Sequence, residues 1–185
     1  MPKRTNKTIT LGSGKLYCVE YNSTTGIPED NVIETEENRL GFIKGGATIA
    51  YAPEYYTAED DLGQVKKRTI NSEEVTFKSG IMTWNGTVLT KLCNTGKTEE
   101  KDGIRTTKIG GAGNYDGKSY IFHFLHEDKV DGNVRVTIVG QNTAGFELAF
   151  AKDAETVIDA EISALPSDSD GTLVIFKEEI GTANA

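Results

Sequence analysis

The chain has 185 residues, 20 Lys and Arg against 28 Asp and Glu, and a formal net charge of −8. That length suits one domain, and 37% hydrophobic residues are enough for a packed core, which excludes a wholly disordered chain. The acid excess disfavours a protein that grips nucleic-acid phosphates, because such affinity comes from Lys and Arg.

Met1 to Lys7 is basic but no apolar run follows, so no signal peptide is expected. The first strand falls at residues 16–21. Residues 22–38 are acidic (Glu29, Asp30, Glu34, Glu36, Glu37) and aperiodic, and read as an excursion. A strand at 40–51 leads into residues 53–68, which begin with Tyr55-Tyr56, pass Asp60 and Asp61, and end in Lys66-Lys67-Arg68. This segment is expected to be a long loop between strands. Val75 and Phe77 mark the next strand. In residues 83–94, Trp84, Val88 and Leu92 lie four apart with Leu89 and Cys93 beside them, which predicts one amphipathic helix capped by Thr83 and ended before Gly96.

Further strands are predicted at 104–109, 120–126 and 133–139, the last with Val134, Val136 and Ile138 on one face. Phe146, Leu148 and Phe150 alternate, as do Ile158, Ala160, Ile162 and Ala164 against Asp159, Glu161 and Ser163. A final strand falls at 173–177. Asp-Gly pairs at 102, 116, 131 and 170 supply hairpin chemistry. The expected fold is mainly β: an antiparallel barrel or sandwich of about eight strands with one flanking helix, in a single domain over 1–185.

Candidate chemistry is thin. Residues 112–119 satisfy a permissive phosphate-loop pattern, but aromatic and β-branched residues follow where a helix should, so a glycine-rich turn is expected. His123 and His126 are three apart, which on a strand puts them on opposite faces, unable to share a metal and expected to be partly buried or at the rim. Ser167-Asp168-Ser169-Asp170-Gly171 lacks the rest of a calcium loop and reads as a polar turn. Cys18 and Cys93 have no partner pattern and read as small hydrophobes. The longest apolar stretch is too short to cross a bilayer, so no membrane insertion is expected. No catalytic, metal or cofactor site is expected. The more informative segment is 53–68, whose acidic and basic blocks, with Tyr55 and Tyr56 at the base, suit contact with a second copy of the chain; a solvated loop whose charges only keep it soluble is the equal alternative.

Several landmarks occur in a set order. These are Leu11-Gly12-Ser13-Gly14-Lys15-Leu16-Tyr17, Gly45-Gly46-Ala47-Thr48-Ile49 leading to Tyr51, Thr83-Trp84-Asn85-Gly86, and Lys108-Ile109-Gly110-Gly111 before Asn114-Tyr115-Asp116-Gly117-Lys118. His126-Glu127-Asp128-Lys129, Asp131-Gly132-Asn133-Val134-Arg135-Val136-Thr137 and Gly171-Thr172-Leu173 complete the order. Together they resemble the major tail proteins, or tail tube proteins, of tailed bacteriophages and prophages of Gram-positive bacteria, over nearly the whole chain. The resemblance implies a non-enzymatic virion protein whose hexameric rings stack into the tube that delivers DNA. It implies partners in the tape-measure protein inside the tube and in tail-tip and tail-terminator proteins, with assembly in the host cytoplasm. It further implies that an N-terminal arm (1–14) and the 53–68 loop, with Tyr55, Tyr56, Asp60, Asp61, Lys66, Lys67 and Arg68, reach neighbouring subunits. An acidic lumen would let DNA pass unheld, and strand alternation offers Asp159 and Glu161 as residues facing it. A secretion-system tube subunit of the same fold and a glycan-binding β-sandwich are the alternatives; for the latter the lone Trp84 reads as core rather than platform.

Overall fold

A computed structural model describes residues 4–180; Met1 to Lys3, part of both the basic start and the expected arm, lie outside the described residues. In chain order the elements are β1 (Lys15–Glu20), α1 (Asp30–Ile33), β2 (Arg39–Gly41), β3 (Ile43–Glu59) and β4 (Lys66–Ile81). There follow α2 (Gly86–Lys91), β5 (Gly96–Lys101), β6 (Ile104–Ile109), β7 (Tyr120–His126), β8 (Val134–Asn142), β9 (Ile158–Leu165) and β10 (Ile175–Glu178). Eight strands form one antiparallel sheet in the order β2-β1-β7-β8-β9-β4-β3, with β10 also paired to β8, while β5 and β6 form a separate hairpin. The mainly β, antiparallel class is as expected; the arrangement is sandwich-like and the sheet does not close into a barrel.

Strand alternation gives the sheet two faces. On the first face Phe77, Phe122, Ile138, Ile158 and Ile162 meet Val88, Leu89 and Leu92 of the α2 segment in the main core. On the second face Tyr17, Ile121, Leu125 and Val139 surround the fully buried Ile33 of α1. Covering on both sides explains why six of seven residues in β7 are buried, where a one-sided strand would bury half.

Four expectations are corrected. The helix is shorter than 83–94: it starts at Gly86 because Asn85, not Thr83, is the cap, its carboxamide accepting from the Thr87 and Val88 amides at 2.9 and 3.1 Å. Thr83 instead accepts from the Phe42 amide at 2.7 Å, and Trp84 precedes the helix, its indole N–H donating to the Thr156 carbonyl. A second short helix, α1, turns the 22–38 excursion into a strap across the second face. Phe146, Leu148 and Phe150 form no strand and pair with no neighbour among the described residues. Phe146 and Leu148 pack on the core, whereas Phe150 is exposed and meets the Trp84 ring edge-on. Of the Asp-Gly pairs, Asp102-Gly103 (φ +52° and +77°) closes a tight two-residue hairpin. Asp116-Gly117 lies in the connection from β6 to β7 instead.

Candidate assembly surface

The largest correction concerns residues 53–68. They are not a loop: β3 and β4 pair from Ile43↔Ile81 out to Glu59↔Lys66, interrupted only by register shifts at Gly45-Gly46 and at Asn71, leaving Asp60 to Val65 as the turn. The Asp60 carboxylate closes that turn by accepting from the Val65 amide at 2.6 Å and the Leu62 amide at 3.3 Å. Those amides, Val65 foremost, hold the Asp60 carboxyl below its ordinary value. Gly63, at φ +68°, supplies the left-handed residue.

Only the inner end of this hairpin is anchored. Val75, Phe77, Ser79 and Ile81 of β4 are buried, and beyond Val75 no residue out to the tip is. The outer part is a two-stranded ribbon open to solvent on both faces. A bulge between Glu54 and Tyr55 keeps its faces distinct. One face carries Ile49, Tyr51, Pro53, Tyr55 and Ile70 in continuation of the core face of the sheet. Tyr51 donates its hydroxyl to Glu73 at 2.6 Å, and the Arg68 guanidinium lies 5.7 Å over the Tyr55 ring and donates to Thr57. The other face is small and polar: Ala50, Ala52, Ala58, Thr69 and Ser72, with Tyr56 among them. Tyr55 and Tyr56 are therefore on opposite faces, 53% and 62% exposed.

The charge blocks also resolve differently from a free arm. Glu59 and Lys66 face each other across the ladder and pair at 2.8 Å, so part of the charge is satisfied within the hairpin. Lys67 and Arg68 stand opposite Ala58 and Thr57, and Asp61 is exposed in the turn; among the described residues neither Asp61 nor Lys67 has an ion-pair partner. Among the described residues, the outer edge of β3, 17 residues long, has no paired strand.

The polar face of the ribbon runs on across β4 and β9. The register Lys78↔Glu161 and Gly80↔Asp159 places Asp159 and Glu161 on it, with Glu54 and Glu74 further out. Glu161 is paired to Lys78 at 2.7 Å, Asp159 is exposed, and Lys44 and Lys67 share the face. Asp159, Glu161, Lys44 and Lys78 line one shallow groove there.

The other candidates resolve as structure. Residues 112–114 make a 3-10 turn, and the chain then runs irregularly into β7, so no helix N-terminus follows to cradle a phosphate. Asp168 accepts from the amides of Asp170 and Thr172 in a tight turn. His123 and His126 point to opposite faces, and both are buried more deeply than the partly buried or rim position expected, His126 bonded to the Ser13 carbonyl at 2.8 Å. Cys18 is fully buried and its thiol is pushed up to about 12 by burial, whereas Cys93 is half-buried. Among the described residues no group of three or more His, Cys, Asp or Glu side chains is placed to hold a metal, and no helix is long and apolar enough to cross a membrane.

Sequence reasoning missed Ile49, Tyr51, Pro53 and Ile70 as surface residues. Their alternation with Ala50, Ala52 and Glu54 is visible in the sequence, and extending the strand past Tyr51 would have found them. Searches of protein-family models and of curated proteins return no match to this chain.

Proposed function

We propose that this protein is a structural subunit that self-assembles into stacked, hexameric rings forming a phage tail tube, through which DNA passes. The observation that carries this reading is the outer β3–β4 ribbon. A two-stranded ribbon exposed on both faces is at best marginal on its own. This one also presents a stripe of exposed apolar and aromatic side chains and a long unpaired edge. Such features are liabilities in a monomer and become interfaces when a second copy covers them. On the open polar face the acids Asp159, Glu161, Glu54 and Glu74 outnumber Lys44, Lys67 and Lys78, and with Glu161 paired to Lys78 the remaining acid excess suits a lumen that repels phosphate. The ordered landmarks, which resemble those of tail tube proteins, support the same reading, and bring the tape-measure, tail-tip and tail-terminator proteins as proposed partners within the virion.

Sedimentation and negative-stain electron microscopy of the purified chain over a range of concentrations test the reading. Rings or tubes of uniform diameter are the expected result. A chain that stays monomeric at every concentration, and does not co-assemble with tail-tip components, overturns it.

A further inference from the structure

The strap over the second face of the sheet is held in an unusual way. Residues 22–38 contain five acids and no Lys or Arg. They are anchored to the sheet by one fully buried side chain, Ile33, and by an ionic latch. In the latch, Glu34 accepts from Arg135 Nε at 2.5 Å and from His123 Nε2 at 3.0 Å, while Asp30 accepts from Lys177 Nζ at 2.6 Å and lies 3.8 Å from Arg135. Arg135 also donates to Glu179 at 2.7 Å. α1 is four residues long and its cap position makes no side-chain bond, so the helix has little stability of its own.

His123 is the centre of this latch and is fully buried. A carboxylate can only accept, so Nε2 carries the proton given to Glu34. The neutral ring then accepts at Nδ1 from the Thr137 hydroxyl, 2.8 Å away. Around the ring stand Tyr17 of β1, with ring centroids 6.1 Å apart, Thr137 and Arg135 of β8, and Glu34 and Asp30 of the strap. Lys177 and Glu179, from β10 and the residue after it, enclose Asp30 and Arg135. Every cation of the latch is on the sheet or its C-terminal strand, and every anion but Glu179 is on the strap.

We propose that residues 22–38 are an acid-released cover: uptake of a proton by His123 undocks the strap and uncovers the apolar surface of Tyr17, Ile121, Leu125 and Val139. This device stands independently of the tube reading. A protonated ring would be a second cation beside the Arg135 guanidinium in a largely buried site, the two sharing the single Glu34 carboxylate, and its Nδ1 could no longer accept from Thr137. Burial holds His123 below its ordinary 6.5, with Glu34 acting against this. The closed state thus binds fewer protons than the open state, in which the ring is solvated, once the pH falls below 6.5. Proton uptake accompanies opening, so acid favours it, by up to roughly tenfold in the opening equilibrium per pH unit for each proton taken up.

NMR of the intact chain reads this directly, since it has only two histidines. The expected result is a neutral His123 protonated at Nε2 at pH 7.5. Titration below pH 6.5 should then move the Ile33 and Glu34 amides together with the ring, while the Phe122 and Ile138 amides keep their native shifts. The variant His123→Gln, which keeps a donor toward Glu34 but cannot titrate, should move the strap transition to lower pH. Glu34→Gln should raise the open population at pH 7.5 by on the order of tenfold to a hundredfold, the cost of losing charge-assisted bonds. A ring titration with no strap response overturns the proposal, as does simultaneous loss of strap and core signals, or a His123→Gln strap transition unchanged from the parent.

Discussion

Replacing residues 53–73 by Asn-Gly closes Ala52 onto Glu74, its Cα partner in the parent hairpin, and removes the outer ribbon while keeping the anchored part. No removed residue is buried, so no core contact is lost. On the parent side, each ordered ribbon residue carries a backbone entropy cost of about 1–2 kcal/mol, offset by ladder bonds that in an isolated hairpin barely balance it. The shortened connection changes loop-closure entropy by only about 0.6 kcal/mol per halving of its length. These terms predict a change in monomer stability within about 1 kcal/mol, read as the midpoint of urea unfolding followed by the lone Trp84, which packs against Thr156 and Phe150 away from the deletion. Sedimentation of the same variant should show loss of assembly. A stability loss above about 2 kcal/mol would mean that the ribbon packs on its own body, well outside the near-neutral balance expected for an isolated hairpin. Undiminished assembly would remove the ribbon from the interface. Either result refutes the reasoning that separates folding from assembly here.

Three further outcomes follow from the packing. Gly140→Ala should destabilise the chain by about 1–3 kcal/mol in urea unfolding, because its methyl group would overlap the Ser163 carbonyl and stand 3.0 Å from Ile162 Cγ2, forcing β8 and β9 apart. Asn85→Ala should cost about 1 kcal/mol by the same measure, since it leaves two first-turn amides of α2 without their acceptor. Cys18 should resist a thiol reagent at pH 8 in the native chain and react on unfolding, because its thiol is pushed up to about 12; mass spectrometry of the labelled peptides distinguishes it from the half-buried Cys93.

Sequence by itself determined the strand-rich class, because period-two alternation survives wherever one face is buried, as in Ile158, Ala160 and Ile162 against Asp159 and Glu161. It also separated His123 from His126, since residues three apart on a strand cannot share a face. It misjudged the ribbon: a hairpin solvated on both sides has no core to impose alternation, so 56–59 and 66–68 carry charges and small residues that look like a loop. It misjudged Phe146, Leu148 and Phe150 in the opposite sense, because alternation shows only that residues pack on alternate sides and not that the backbone joins a ladder: Phe146 and Leu148 pack on the core and Phe150 meets Trp84 without one. The latch was beyond local reading altogether. Glu34 and His123 lie 89 residues apart, and Glu34 and Arg135 lie 101 apart; each looks like an ordinary surface or strand residue until the sheet brings them to one site. Local chemistry sets which residues want to be strands and turns. Tertiary structure decides which edges are taken, which faces are covered, and therefore which charges must find one another.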